Sequence, residues 1–138
     1  IAESCTGGLI AAALTSVPGA SAAFRRGWVT YANEAKSELL GVRPETVATH
    51  GAVSAETADE MAVGLARRLQ VDAGVAVTGI AGPDGGTPDK PVGLAFISTI
   101  VQGDVRTQRY VHPGDRRRMR DRTTLAALNQ LLRHLRES

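Results

Sequence analysis

One short apolar segment constrains the fold of this chain more than any other feature. Residues 73–78 read Ala-Gly-Val-Ala-Val-Thr, without alternation between apolar and polar side chains. In the segment before them, apolar residues recur at helical spacing from Ala58 to Leu69, and a glycine-rich loop follows them. An unbroken apolar run after a helix is typical of a parallel strand that is buried on both faces. The sequence therefore predicts an α/β protein.

Further helices and a strand are predicted on the N-terminal side of that segment. A helix over 9–14 is apolar all round and is therefore expected to be buried, and it follows a strand placed just before residue 1. A strand over 24–31 comes next, because that stretch is rich in residues that favour extended structure. Asn33 is expected to cap a helix over 34–40, and Ser54 is expected to cap the longer helix that follows.

The last third of the chain is predicted to be a β-hairpin followed by a helix. Strands over 92–101 and 105–111 flank Gly103-Asp104, which fits a two-residue turn. Asp115 is expected to cap the last helix, whose apolar stripe consists of Leu125, Leu128, Leu132 and Leu135. The predicted architecture is a three-layer α/β/α sandwich, in which a mixed sheet combines parallel strands with a C-terminal β-hairpin.

Composition excludes several classes of protein. The 138 residues are 43% apolar and 22% charged, which is typical of a globular domain. No apolar run approaches the ~20 residues that a membrane-spanning helix needs. The single cysteine excludes an internal disulfide framework, and the three histidines are too scattered to predict a metal site. We expect a cytoplasmic protein that makes no membrane contact and uses no metal or other cofactor.

The basic residues are almost all arginines. Only two of the 16 Lys and Arg residues are lysines, Lys36 and Lys90, and the net charge is +2. This small charge and the few aromatic residues argue against a nucleic-acid partner. The Arg-rich segment 116–120 is interpreted as a mainly solvated helix face, from which one or two side chains reach a ligand phosphate or a partner subunit. Lys90 is expected to be solvated.

The segment Ser4-Cys5-Thr6-Gly7-Gly8 is the first candidate site. Ser4 stands where a strand turns into a helix, and the free N–H groups of a helix start hold anions or a developing oxyanion. The alternative is an N-cap followed by glycines that let the turn close. Glu3 is either a base or a solvated charge. Cys5 is interpreted as a small buried residue and not as a nucleophile.

Lys36 is the second candidate. It falls in the first turn of a predicted helix, where the helix dipole disfavours a cation. The dipole and partial burial both lower the pKa of a lysine, which suits it to act as a base. A lysine beside a serine is also a known means of activating the hydroxyl. The alternative is an incidental surface lysine.

The loop from Gly79 to Pro91 is the third candidate. In α/β sheets, ligands bind at the carboxyl ends of the strands, and this loop directly follows the buried strand. Its glycines allow the backbone to approach a phosphate and to point N–H groups at it. The alternative is a flexible connection between two strands.

Five motifs occur in order along the chain. They are residues 2–8 (Ala-Glu-Ser-Cys-Thr-Gly-Gly), 30–36 (Thr-Tyr-Ala-Asn-Glu-Ala-Lys), 50–54 (His-Gly-Ala-Val-Ser), 79–86 (Gly-Ile-Ala-Gly-Pro-Asp-Gly-Gly) and 90–93 (Lys-Pro-Val-Gly). Taken together they resemble the CinA C-terminal domain, a family of nicotinamide-nucleotide amidases. The resemblance covers essentially the whole chain, so we expect one amidase domain over 1–138. Family members carry a helix and a strand before the first motif, and we expect that this segment is missing here.

The resemblance implies an activity and a set of residues. The activity is hydrolysis of nicotinamide mononucleotide to nicotinic acid mononucleotide and ammonia. The implied catalytic residues are Ser4 as nucleophile and Lys36 as base, which acts directly or through Tyr31. Backbone N–H groups of Thr6, Gly7 and Gly8 are expected to stabilise the oxyanion. Further substrate contacts, including those to the ribose phosphate, are expected from Asn33, Ala52, Val53, Ser54, Gly79, Ile80, Ala81 and Gly82.

A second function remains open at this point. The same glycine loops are compatible with a catalytically silent nucleotide-binding or regulatory module. In either case the expected small-molecule partner is nicotinamide mononucleotide, and the chain is expected to form a homodimer or a higher homo-oligomer.

Overall fold

The computed structural model describes residues 1–138, and helices alternate with strands along most of the chain. In chain order the elements are β1 (Ala2–Glu3), α1 (Leu9–Thr15), β2 (Trp28–Val29), α2 (Asn33–Leu40), α3 (Pro44–His50), α4 (Ala55–Leu69), β3 (Ala73–Gly79), β4 (Leu94–Val101), β5 (Asp104–Val111) and α5 (Arg116–Glu137). A single 3-10 turn lies at Ala20–Ala22. None of the helices is both long enough and apolar enough to cross a membrane.

Five strands form one mixed sheet in the order β2-β1-β3-β4-β5. β1 runs parallel to β2 and to β3, whereas β4 is antiparallel to both β3 and β5. Helices α1 and α5 cover one face of the sheet, and α2, α3 and α4 cover the other. The predicted three-layer α/β/α sandwich, with parallel strands and a C-terminal hairpin, is therefore confirmed.

The central strand β3 is apolar on both faces because helices cover both of its faces. Val75 and Val77 pack in one core cluster with Met119 of α5. Ala76, which points to the opposite face, packs in a second cluster with Leu65 of α4. The unbroken apolar run from which the fold was predicted therefore supplies side chains to two cores at once.

Two predictions for the N-terminal part are wrong in extent. Helix α1 is not buried all round, since only Ile10 is fully buried and Ala12 is exposed. Three of its residues are alanines, which count as apolar but are small enough to be exposed at little cost. The sequence pattern therefore overestimated how much of the helix surface is buried. Strand β2 has two residues where eight were predicted, because its partner β1 offers only Ala2 and Glu3 for pairing.

Three local predictions differ from the structure. Asn33 is the first residue of α2, whose N-cap is Ala32 without a side-chain hydrogen bond. The hairpin turn is Gln102-Gly103, and the positive φ values of these residues, 49° and 88°, are those that a type I′ turn requires. Helix α3 was not predicted, although Pro44 at its start is a usual signal. The caps predicted at Ser54 and Asp115 are confirmed.

Three of the four leucines predicted to form the buried stripe of helix α5 face solvent, and only Leu128 packs against the core, where it is partly buried. Leu125 is 61% exposed, and Leu132 and Leu135 are each 45% exposed. The buried face consists of Met119, Thr123, Thr124, Ala127, Gln130 and His134. This polar face packs on the sheet because its groups find partners there. Gln130 Nε2, for example, donates to Ile97 O at 2.9 Å and to Arg106 O at 3.0 Å.

Candidate active site

A pocket of about 260 Å³ lies where β1, β2 and β3 end. Because these strands are parallel, the residues that follow each of them meet at one edge of the sheet. The pocket is lined by Ser4, Cys5, Tyr31, Asn33, Lys36, Ala52, Val53, Thr78, Gly79, Ile80, Ala81, Gly82, Asp84, Gly85 and Arg116. Residues from five separate segments of the chain thus converge on one small space.

Ser4 and Lys36 form a close pair in this pocket. Lys36 Nζ lies 3.2 Å from Ser4 Oγ and donates to Thr30 O at 2.8 Å. A third contact, to Tyr31 O, is at the outer limit of a hydrogen bond at 3.5 Å. Ser4 follows β1 directly, and its own N–H is held by Val77 O of β3. The serine hydroxyl is therefore placed by the sheet, and the lysine is placed by helix α2.

Burial changes the chemistry of Lys36. Its side chain is only 1% exposed, and no carboxylate lies within ion-pair distance of it. Removal from water disfavours the ammonium form, so burial lowers the pKa of Lys36 below its ordinary value of 10.5. A neutral amine has two N–H groups and one lone pair. The two carbonyls can accept the N–H groups, which leaves the lone pair for the Ser4 hydroxyl.

Tyr31 contacts a different partner from the one its implied role suggests. Its hydroxyl accepts a hydrogen bond from Arg116 NH2 at 2.8 Å and contacts neither Ser4 nor Lys36. The Tyr31 side chain lies at the pocket mouth, where the residue is 56% exposed. In this structure Lys36 contacts Ser4 directly, and the Tyr31 hydroxyl does not lie between them.

Glu3 occupies the N-terminus of helix α1, where the sequence left open whether it is a base or a solvated charge. Its carboxylate is 1% exposed and accepts from the N–H groups of Gly8, Ile10 and Ala11 at 3.1, 3.0 and 2.9 Å. It is therefore a buried helix cap. Because the carboxylate takes the Gly8 N–H and Ser4 O takes the Gly7 N–H, these two glycines have no donor left for an oxyanion.

The remaining free N–H donors lie directly after Ser4 and in two loops. The N–H groups of Cys5 and Thr6 donate to no other residue. The same is true of the N–H groups of Ala52, Val53, Ala81 and Gly82 at the pocket wall. Thr78 Oγ1 joins these two loops, since it donates to Ala52 O at 2.7 Å. The pocket therefore offers fixed, neutral donors on two sides.

Ten of the predicted site residues line the pocket, and four do not. The ten are Ser4, Tyr31, Asn33, Lys36, Ala52, Val53, Gly79, Ile80, Ala81 and Gly82. Thr6, Gly7, Gly8 and Ser54 lie outside it. Ser54 instead uses its side chain to cap α4. Asp84 also lines the pocket and was not predicted. Arg116 was covered only by the expectation that one or two side chains of 116–120 reach a ligand phosphate or a partner subunit, since nothing near it in the sequence ties it to a serine more than a hundred positions earlier.

Lys90 is partly exposed, as expected, but it also makes a contact that the sequence did not predict. Its Nζ donates to His50 O at 2.5 Å, at the end of helix α3. This bond fastens the glycine-rich loop to the neighbouring helix. The loop is thus tied down near its far end, and the alternative of a freely flexible connection does not describe it.

A larger groove of about 1080 Å³ lies elsewhere on the molecule. Its lining is mostly apolar and includes Ile1, Leu14, Phe24 and Leu131. It contains no serine, cysteine or lysine that could act as a nucleophile or base. The chemistry of the chain is therefore concentrated in the smaller pocket.

Comparison with known proteins identifies the family of the chain. The family model described as the CinA C-terminal domain matches residues 1–135. The chain belongs to the CinA C-terminal domain family. The CinA-like protein of Citrifermentans bemidjiense is 53% identical over 135 residues, which is 98% of this chain and 33% of that protein. The chain thus spans about a third of the length of the curated relatives it matches.

Solved structures of the CinA family share the whole fold. The competence/damage inducible protein CihA from Agrobacterium tumefaciens is 49% identical, with a TM-score of 0.93 over 95% of this chain and 81% of that one. A CinA superfamily protein from Klebsiella pneumoniae is 36% identical, with a TM-score of 0.95 over 99% of this chain and 86% of that one. The names of these proteins refer to competence or damage and state no reaction.

Proposed function

We propose that this chain is an amidohydrolase that converts nicotinamide mononucleotide to nicotinic acid mononucleotide and ammonia. The observation that carries the proposal is the 3.2 Å contact between Lys36 Nζ and Ser4 Oγ in a pocket with free backbone donors. A buried amine with a lowered pKa beside a serine hydroxyl is the arrangement that a serine–lysine hydrolase needs. The family resemblance supplies the substrate.

In the first half of the reaction, Ser4 Oγ attacks the carboxamide carbon and its proton passes to the neutral Lys36 amine. The carbonyl oxygen becomes negative, and the free N–H groups of Cys5 and Thr6 are the donors nearest in sequence to the nucleophile. Lys36 then gives its proton to the leaving nitrogen as the carbon–nitrogen bond breaks. Ammonia leaves, and an ester between Ser4 and the nicotinoyl group remains.

In the second half, water replaces ammonia. Lys36, neutral again, takes a proton from the water as its oxygen attacks the ester carbon. Collapse of the tetrahedral species breaks the bond to Ser4 Oγ, which recovers a proton from Lys36. The product carboxylic acid ionises, and the enzyme returns to its starting state.

The charge of the substrate fits a neutral lysine. The pyridinium ring of nicotinamide mononucleotide is cationic, so it disfavours a second positive charge nearby. Substrate binding thereby adds to the effect of burial and keeps Lys36 in the form that accepts a proton. The free N–H groups of Ala52, Val53, Ala81 and Gly82, in the segments 52–54 and 79–82, are proposed to bind the ribose phosphate.

The test is ammonia release from nicotinamide mononucleotide by the purified chain. Ser4→Ala removes the nucleophile and should reduce turnover to background. Lys36→Arg keeps the charge but removes the ability to lose a proton, so kcat should fall by at least about 100-fold. Lys90→Arg makes the same chemical change at the only other lysine and should leave turnover near that of the wild type. Normal turnover in Ser4→Ala or Lys36→Arg would contradict the proposal.

The silent nucleotide-binding module remains the alternative function. It predicts that calorimetry detects binding of nicotinamide mononucleotide by a chain that releases no ammonia. The amidase is also proposed to act in the cytoplasm as a homo-oligomer, and light scattering after size-exclusion chromatography tests the oligomeric state.

A further inference from the structure

We propose that Arg116 recognises the phosphate of the substrate and makes the enzyme select nucleotides over the corresponding ribosides. This inference rests on the proposed function, which supplies a substrate with a carboxamide at one end and a phosphate at the other. It assigns a role to one residue of the arginine-rich segment 116–120.

The charges around the pocket leave one candidate for anion binding. Three side chains that are charged in water line the pocket: Lys36, Asp84 and Arg116. Lys36 is buried and committed to Ser4, and Asp84 repels an anion. Arg116 has no carboxylate within ion-pair distance, unlike Arg43 and Arg106 on the same molecule. Its positive charge at the pocket therefore takes part in no ion pair within the chain.

The guanidinium of Arg116 is held in a fixed position. NH1 donates to Gly82 O at 2.7 Å, and NH2 donates to the Tyr31 hydroxyl at 2.8 Å. A guanidinium has five N–H donors in a planar fork, so these contacts leave three for a ligand. A fork held in place loses less entropy on binding and fits phosphate with paired hydrogen bonds.

The two ends of the pocket match the two ends of a nucleotide. Ser4 and Lys36 lie at the buried end, with exposures of 7% and 1%. Tyr31 and Arg116 lie at the exposed end, next to the unused N–H group of Gly82. A carboxamide at the dyad therefore directs the rest of the substrate outward, where Arg116 and the Gly82 N–H are available to the phosphate.

The experiment compares two substrates that share the reacting group. Ammonia release is measured from nicotinamide mononucleotide and from nicotinamide riboside, which lacks the phosphate. Arg116→Gln should lower kcat/KM for the mononucleotide by about 10- to 100-fold, the value of a charged hydrogen bond, and change that for the riboside by less than about twofold. Arg116→Lys keeps the charge without the fork and should show an intermediate loss.

Arg117→Gln is the matched control, because Arg117 is the next residue on the same helix turn and its side chain is 91% exposed outside the pocket. It should leave both substrates unaffected. An equal loss for both substrates in Arg116→Gln would overturn the inference, since it would show that Arg116 only positions Tyr31 or the loop. An unchanged preference for the mononucleotide would overturn it as well. If circular dichroism shows that Arg116→Gln does not fold, Arg116→Lys replaces it in the test, and the ratio of kcat/KM for the mononucleotide to kcat/KM for the riboside decides.

Binding separates this inference from the proposed function. If the wild-type chain releases no ammonia, the proposed function fails, and calorimetry with nicotinic acid mononucleotide and its riboside then decides the role of Arg116. The inference holds if the wild type binds the mononucleotide more tightly and Arg116→Gln removes that difference. It fails if the wild type shows no difference, or if the variant keeps it.

Discussion

Removing the carboxylate of Glu3 should destabilise the protein more than any surface change. In Glu3→Ala, three N–H groups at the start of α1 lose the acceptor that holds them. A hydrogen bond to a charged group contributes about 1.5–3 kcal/mol, but the three share one carboxylate and are not additive. Gly8 and Ala11 are partly exposed, so water replaces part of the loss. We expect a cost of about 3–5 kcal/mol.

The assay is thermal and urea unfolding followed by circular dichroism. For a chain of this size, the expected cost lowers Tm by about 10–20 °C. Glu3→Gln keeps the shape and one acceptor, so its loss should be smaller. Glu34→Ala removes an exposed carboxylate from the first turn of α2 and should cost no more than about 0.5 kcal/mol. If the free energy of unfolding of Glu3→Ala lies within about 1 kcal/mol of the wild-type value, the change is no larger than that of a surface substitution, and the carboxylate is not the cap described above.

Four further predictions concern other parts of the molecule. Amidase kcat/KM should rise with pH through the lowered pKa of Lys36. Between that pKa and the ordinary value of 10.5 the unfolded state binds more protons than the folded state, so the free energy of urea unfolding should also rise with pH. Lys36→Met should lack that rise in stability. Burial raises the pKa of Cys5 to about 11, so mass spectrometry should find iodoacetamide modification only after unfolding. Gly64→Ala would place a Cβ 1.8 Å from Leu40 O, and should cost about 3 kcal/mol in urea unfolding. Leu125→Gln should change stability by less than about 0.5 kcal/mol, because Leu125 is 61% exposed, and a larger loss in the same assay would contradict its placement.

The layers of the fold were predictable because they depend on patterns that repeat over many residues. Several apolar positions indicate strand β3, and several others indicate helix α4. The caps at Ser54 and Asp115 are also local, because each side chain accepts a hydrogen bond from the N–H group three residues later. The buried face of α5 was not predictable, because polar residues such as Gln130 are buried by partners on distant strands. Hydropathy counts that face as solvent-exposed.

The candidate site divides in the same way. Ser4 and Lys36 stood out through local motifs, and the structure brings them within 3.2 Å. The role of Glu3 could not be decided from the sequence. Its partners are backbone N–H groups, which nearly every residue type has, so the sequence does not show which of them the carboxylate contacts. Arg116 reaches Tyr31 across 85 positions, so only the folded chain reveals the contact.

Helix α5 also holds the segment that carries Ser4. Arg120 donates to Cys5 O and Thr6 O, both at 3.0 Å, across more than 110 positions of the chain. The turn after Ser4 therefore receives its last two hydrogen bonds from a helix that is synthesised long after it. On the ribosome, a nascent chain that has exposed residues 1–100 but not yet α5 would display Ser4 and Lys36 without this support. We therefore expect the pocket to be complete only once the helix over 116–137 has emerged and docked.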